Sequence, residues 1–575
     1  MKTKYINILT GLVLAFGATS CVDLDLSPTD QKSTVTMWLT PEDAEQGVSI
    51  LYEYVPNAMW QSDEDFYTDN SVFGIKWAVG NRAHGIWSAS DFSWKTEYKY
   101  IRFANIVFAN IDRVEGLSEA DRNNILGQAH FFRAWIYFDL IKQFGGVPYV
   151  TEPLELSEQA DLTRTDWETC YKNVMADFDE AIKLLPETSA NGRANKYVAR
   201  AYKMRAALYY ANPECMFSTS DGWQVAAAEA KAIMDSGKYD LYDGNYSGTA
   251  KNYTGKYREM FWGFNIDNSK EGILTQYNNS ALGTGSYFIV FECFPTLGWG
   301  GANPTQSLVD SFEDCEGAPI SKSAIYDPLN PSVNRDPRLN VNVIFSGETM
   351  YGEVVDTKPL NSAGDRGLFE MTEKSHGDAT LTGYHARKWL NPDVYPGTDG
   401  WDHDAASCPM RYAEVLLSYA EAKNEISPLD QEAFDAVNKV RARVGMPALQ
   451  KTDASKPTYC ATQDDLRQRI RNEWRVEFCF EGDHRQWDAR RWNIATDVLN
   501  ADRYSYKFTL REDPANALPV DDGWVCDLYV GEPIKVTNQV IRYEPHNYLF
   551  PIPQPDIDLS DKMNKNLKQN PGYTY

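Results

Sequence analysis

Between residues 118 and 237 the apolar positions recur every three or four residues, the spacing that turns one side of an α-helix toward a core. Ile125, Ala129, Phe132, Ile136 and Leu140 form the first stripe. Ser118-Glu119-Ala120-Asp121 ahead of it has capping-box spacing, and Gly145-Gly146 followed by Pro148 ends it. A second stripe, Tyr171, Val174, Phe178, Ile182 and Leu185, follows the box Thr165-Asp166-Trp167-Glu168 and stops at Pro186. A third carries Tyr197, Ala201, Met204 and Leu208 and ends near Asn212-Pro213; a fourth runs over 225–236 and ends at Gly237. Amphipathic helices joined by short connections predict an all-α, tetratricopeptide-like stack of helix pairs. Phe178-Asp179-Glu180-Ala181 followed by Pro186 has the spacing that closes such a repeat.

From about 239 to 409 this pattern is lost. Gly, Pro, Asn and Tyr are frequent, in fragments such as YDGNYSG (242–248), GTGSYF (283–288) and GWGG (298–301). Irregular stretches of this length in a compact protein are functional surfaces or insertions. Helical spacing returns over 411–425, 431–444 and 464–480, the last with Leu466, Ile470, Trp474 and Phe478 on one side. The tail YLFPIPQPDI (548–557) is proline-rich and expected to lie extended.

The first twenty residues differ from everything after them. Lys2 and Lys4 precede an apolar run over 6–18, which falls short of the roughly 20 apolar residues a bilayer span takes. Ala18-Thr19-Ser20-Cys21 follows, small residues directly before a cysteine. This reads as a lipoprotein signal, cut so that Cys21 becomes the acylated N-terminus; a plain secretory signal is the simpler alternative. Ala18 stands where such sites usually carry Leu. Acyl chains on Cys21 anchor stably, because each buried methylene contributes about 0.8 kcal/mol. The expected organisation is a signal peptide (1–20), a lipid-anchored tether (21–32), a helical region (33–237) and a C-terminal region with the loop-rich insertion and closing helices (238–575).

Charge and composition narrow the function. A net charge of −25 excludes nucleic acid as the expected partner, since phosphates need clustered Lys and Arg. Sixteen Trp, 34 Tyr and 25 Phe are a large aromatic load, most of it assigned to core packing. The cysteines after Cys21, at 170, 215, 293, 315, 408, 460, 479 and 526, include no C-x-x-C pair and read as small buried hydrophobes. Seven scattered histidines give no H-E-x-x-H, and neither a G-x-S-x-G elbow nor a P-loop occurs. No catalytic residue, metal or cofactor is therefore expected. Asp399, Asp402 and Asp404 have oxygen ligands at short spacing, without the order of a calcium-binding EF-hand. A glycosidase needs two carboxylates about 5–10 Å apart, and nothing singles out a pair among 81 acidic residues. Arg411 with Glu414, and Arg471 and Arg475 with Glu477, read as ion pairs that lock packed helices.

A set of longer segments carries a resemblance. ILGQAHFFRAWIYFDLIKQFGGVPYVTEPL (125–154), GRANKYVARAYKMRAALYYAN (192–212), PTQSLVDSFE (304–313), NRDPRL (334–339) and TGYHARKW (382–389) resemble, in order, landmarks of the SusD-like (RagB/SusD) family. RYAEVLLSYAEAKNE (411–425), VNKVRARVGMP (437–447), EWRVEFCFEGDHRQWDARRW (473–492) and YLFPIPQPDI (548–557) continue the set, and CVDLDLSPTD (21–30) fits the mature N-terminus. The resemblance implies tetratricopeptide-like helix pairs supporting an irregular ligand-facing half. It also implies an outer-membrane lipoprotein that captures oligosaccharides, or sometimes peptides, at the cell exterior. Such proteins pass the ligand to a TonB-dependent, SusC-like transporter that they lid. A surface glycoside hydrolase and a purely structural helical scaffold are the rival readings.

Sugars present apolar C–H faces and rings of hydroxyls, so their sites need exposed aromatic platforms beside amide, carboxylate or guanidinium groups. Trp77, Asn81, Arg82 and Trp87 lie in a glycine-broken interval with Gly74, Gly80 and Gly85, ahead of a helix around 98–111. The resemblance implies that the ligand face draws on this interval and on the segment before PTQ, which supplies Tyr287, Trp299 and Asn303. These are the candidate ligand-binding residues. Trp94, four before Tyr98, is assigned to the core.

Overall fold

The computed structural model describes residues 37–56, 65–74, 85–154, 163–243, 257–262, 265–278, 300–328, 330–355, 357, 380–390, 405–505, 508–512, 519–526, 542–562 and 567–573. Its principal helices are α1 (Pro41–Ser49), α2 (Lys95–Asn110), α3 (Glu119–Phe144), α4 (Trp167–Leu184), α5 (Lys196–Tyr209) and α6 (Gly222–Asp235). They continue with α7 (Tyr412–Ile426), α8 (Gln431–Arg443), α9 (Gln463–Phe478), α10 (His484–Arg491) and α11 (Gln554–Lys562). Consecutive helices from α2 to α6 pack on one another. Across the irregular stretch α7 docks on α6, then pairs with α8 and α9, so helices from both ends of the chain build one layer. This is the expected stack of helix pairs.

Local chemistry sets the helix ends. The Ser118 hydroxyl accepts from the Asp121 amide at 3.1 Å and caps α3. Gly145 ends it at φ 74°, a left-handed position that favours glycine. The cap of α4 falls one residue later than the Thr165 box predicts. Thr165 is held back by its amide's bond to Val147 O (3.0 Å), and Asp166 instead accepts from the Thr169 amide at 2.9 Å. The core of the layer is aromatic: Trp135 meets Tyr202 at 4.4 Å between ring centroids, and Phe131 meets Tyr202 at 5.2 Å. Trp94 is buried, edge-on to Tyr98, as expected.

The tail departs from expectation. Leu549 to Pro553 are not helical, and the Phe550 amide donates to Gln143 O at 2.7 Å. Gln554 then begins α11, with Pro555 in its first turn. Proline is tolerated there because first-turn amides have no intrahelical partner to lose. Cys170, Cys408, Cys460 and Cys479 are buried free thiols, Cys215 is half-buried and Cys315 is exposed. Among the described residues no helix is long and apolar enough to cross a membrane.

The irregular half is held by short antiparallel ladders. β1 (Ser71–Phe73) pairs with β3 (Ala302–Pro304), β2 (Gly272–Asn278) with β6 (Ala405–Arg411), and β4 (Val343–Ile344) with β5 (His385–Ala386). A separate apolar cluster containing Phe66, Phe73, Leu308, Phe312, Tyr384 and Phe480 lies around β1 and β3.

Candidate ligand-binding face

Val72 stands opposite Asn303 and Phe73 opposite Ala302, and the Gly74 amide donates to Gly301 O at 2.9 Å. A Cβ at Gly74 would sit 2.1 Å from Gly300 O, so the backbones approach this closely only with glycine there. Asn303 is fully buried. Its amide nitrogen donates to Gly300 O (2.9 Å) and its oxygen accepts from the Leu381 amide (2.9 Å), tying a third segment to the ladder. Thr357 Oγ1 donates to Gly383 O at 2.9 Å nearby in that segment. Gly74 adjoins the segment with Trp77, Asn81 and Arg82, and Gly300 directly follows Trp299. One ladder thus joins Gly74 to Gly301, although more than 200 residues separate them in the chain.

A charged frame fixes the ladder from below. Arg485 of α10 grips both Asp69 oxygens at 2.7 Å, and Arg475 of α9 reaches Asp69 at 3.0 Å and the Asn70 side-chain oxygen at 2.8 Å. Arg503 donates to Thr68 O at 2.9 Å. Thr305, just after β3, donates its hydroxyl to Asp69 O at 2.6 Å and its amide to Asn70 O at 2.9 Å. Burial alone would raise the Asp69 carboxyl, but Arg475 and Arg485 outweigh it and hold it well below the usual range. Among the described residues Asp65 forms no ion pair, and its burial is only partly offset by the charge of Lys388. Burial, with a smaller push from the Asp69 charge, lifts it to about 7, against the Phe480 amide and the Asn70 side chain that hydrogen-bond it.

A second frame joins α9 to the rest of the irregular half. Glu477 takes Arg411 at 2.7 Å and Arg338 at 3.0 Å, and also pairs with Arg443. Glu473 takes Arg338 (2.6 Å) and Arg441 (2.9 Å), and Glu481 takes Arg411 at 2.7 Å and Lys388 at 2.5 Å. Burial opposes ionisation of Glu477, yet Arg443, Arg411 and Arg338 hold its carboxyl far below the ordinary range. Arg411 and Glu477 are therefore locking residues, but with other partners than the expected ones: Arg411 pairs with Glu477, Glu481 and Glu271 rather than with Glu414, and Glu477 with Arg411, Arg338 and Arg443 rather than with Arg471 or Arg475. Glu414 joins Arg205 in a bidentate pair at 2.7 Å, and Arg471 lies over the Trp492 ring. Among the described residues no group of three His, Cys, Asp or Glu is placed to hold a metal ion.

The candidate residues thus divide. Trp77, Asn81, Arg82, Tyr287 and Trp299 lie outside the described residues, as do Cys21 and Asp399, Asp402 and Asp404. Asn303 belongs to the scaffold rather than to a ligand face: its strand register turns the amide inward, where both ends are occupied. Trp87 is half-buried, edge-on to Phe550 at 4.9 Å and to Tyr543 at 5.9 Å, so it packs against the C-terminal tail. Asp65, Asp69, Arg485 and Arg503 escaped the sequence reading. No periodicity or motif distinguishes an isolated charged residue that folding will bury. Gly74 was legible only as a loop glycine.

Comparison with known proteins places this geometry. Residues 245–573 match the SusD family model, and residues 24–208 match a model described as starch-binding associating with outer membrane. The chain is 26% identical over 534 residues to SusD-like protein P25 of Formosa agariphila, covering 88% of this chain and 93% of that one. It is 23% identical over 557 residues to the starch-binding protein SusD of Bacteroides thetaiotaomicron, covering 86% and 92%. The crystal structure of a SusD-like protein from Bacteroides fragilis superposes with a TM-score of 0.75 at 26% identity, covering 95% of this chain and all of that one. With its helix-pair layer, its landmark segments and a family match over more than half its length, the chain belongs to the SusD family, whose members include carbohydrate-binding proteins associated with the outer membrane.

Proposed function

We propose that this chain is a lipoprotein, acylated at Cys21 and facing the cell exterior, that binds an oligosaccharide and delivers it unchanged to a TonB-dependent, SusC-like transporter. The observation that supports the proposal is the β1–β3 ladder, which brings Gly74 to Gly301, close in the sequence to Trp77-Asn81-Arg82 on one side and to Trp299 on the other. On this reading Trp77 and Trp299 stack on the apolar faces of successive sugar rings, while Asn81 and Arg82 hydrogen-bond hydroxyls. Tyr287 adds a third ring with a polar tip. Capture of this kind needs platforms held at fixed separation, since ordering them on binding would consume affinity. The buried ion pairs beneath the ladder supply that rigidity. The starch-binding relative supports a glycan over a peptide as the ligand.

A glycan-array screen of the mature chain, followed by calorimetry, tests this. Saturable binding with no growth of reducing ends over hours is the expected result. Reducing ends that accumulate with time would make the protein a surface glycoside hydrolase, and a screen blank for all glycans but positive for peptides would move the ligand class.

A further inference from the structure

The helical layer carries a second concavity that the ligand-binding reading does not use. A cleft of about 560 Å³ opens between the N-terminal half of α2, the non-helical segment after Pro148, and α11. Trp94, Tyr98, Ile101, Pro148, Leu559 and Leu567 give it an apolar floor, with Leu559 49% exposed. Lys95, Lys99 and Arg102 stand along one rim, exposed and spaced i, i+4, i+7 on α2. Lys99 lies 4.0 Å from Glu53; among the described residues neither Lys95 nor Arg102 forms an ion pair. Glu152 and a half-buried Asp556 also line the cleft, the latter close to Lys95 and to the Trp94 indole. Three clustered cations beside an apolar floor, in a chain of net charge −25, select an occupant that is both acidic and apolar.

The tether carries such a segment within reach. We propose that Val22-Asp23-Leu24-Asp25-Leu26, from the tether, docks in this cleft as an extended strand. Side chains alternate along an extended backbone, so Val22, Leu24 and Leu26 share one side and Asp23 and Asp25 the other. The two aspartates then lie roughly 7 Å apart at about 3.3 Å per residue, close to the roughly 6 Å that four residues of helix put between Lys95 and Lys99. The connection is long enough. Leu39 O accepts from the Glu115 amide at 3.2 Å, just beyond the far end of α2, and the cleft cations lie about 12–23 Å back along that helix. About eleven residues from Leu26 to Met37 reach roughly 36 Å. Cys21 directly precedes the docked segment, so the face made by α2 and α11 is held toward the membrane. That consequence rests on the acylated-anchor reading of Cys21, whereas the docking does not.

Hydrogen exchange on the full mature chain in detergent tests the docking. Amides of residues 22–26 should exchange about tenfold or more slowly than those of 28–34, equivalent to about 1.4 kcal/mol of local opening energy. Lys95→Glu/Lys99→Glu/Arg102→Glu should abolish the difference, and adding Asp23→Lys/Asp25→Lys should restore it. Asp23→Lys/Asp25→Lys alone, which leaves the folded body untouched, should release the segment as well. Unprotected amides in the wild type, or protection that survives both sets of charge reversals, would overturn the proposal. So would protection that rises with protein concentration, which marks a second copy as the occupant, or cleft protection seen only with anionic lipid vesicles. The mass of Cys21 tests the anchor separately: an unmodified thiol ends the membrane-facing consequence and leaves the exchange pattern as expected.

Discussion

The two halves of the molecule are built on different physics. In the helical layer, rings and aliphatic side chains meet side on, as at Trp135 and Tyr202, and the contact is non-directional. Where α8 and α9 meet the irregular half, several of the largest fully buried side chains are charged: Arg338, Arg411 and Arg441 have less than 2% of their surface exposed, and each is fixed by carboxylates. Buried ion pairs add little net stability, because desolvation offsets their attraction, but they dictate geometry and are costly to break singly. A layer that only has to be solid uses apolar packing. A half that has to hold chain segments at set positions without regular secondary structure uses guanidinium forks.

Arg411→Ala breaks the contrast most severely. It leaves Glu477, Glu481 and Glu271 short of a buried partner and should cost about 3–5 kcal/mol in chemical denaturation. Next comes pH. Asp65 has a folded-state value of about 7 against an unfolded value of about 3.9, so the folded state binds the extra proton. Its contribution is complete below about pH 4 and is lost as pH rises toward 7, at up to about 1.4 kcal/mol per unit. Glu97, also lifted to about 7, chiefly by burial, titrates in the same window, so the comparison is best made in a Glu97→Gln background. There, Asp65→Asn should flatten the fall in stability between pH 5 and 7. Asp69 and Glu477 are depressed and act with the opposite sign, contributing above about pH 4 and losing that contribution as pH falls further.

Gly74→Ala sharpens the comparison at the ladder. The methyl collides with Gly300 O, so the strands must part, at roughly 1–3 kcal/mol and with a matching drop in glycan affinity. Ile136→Val, a one-methylene cut in the helical layer, should cost about 1 kcal/mol and leave glycan affinity unchanged. Equal affinity losses from both variants would dissolve the distinction between the halves.

The same contrast decides what could be read from the sequence. The stripes of α3 to α6 and of α7 to α9 were legible because burial of apolar residues imposes a period of 3.6 on the chain. Their ends moved by up to three residues: a backbone bond from elsewhere holds Thr165 out of α4, α6 begins at Gly222 rather than 225, and α9 ends at Phe478 rather than 480. The proline tail was misread past Pro553, because Pro555 sits where a helix needs no donor. The ladder was not legible: β1 and β3 are three residues each, too short for an alternating pattern, and far apart in sequence. Asn303 looked like a loop amide for the same reason. Arg475 was read as a lock, but its partners Asp69 and Asn70 lie 405 or more residues away, and no local rule connects them.

The decisive measurement is calorimetric titration of one bound glycan into the wild type, Trp77→Ala and Trp299→Ala. If the ladder assembles a single face from both segments, each variant binds with 1:1 stoichiometry and roughly 30-fold more weakly, a loss of about 2 kcal/mol. Wild-type affinity in either variant would mean that the two indoles do not share a ligand.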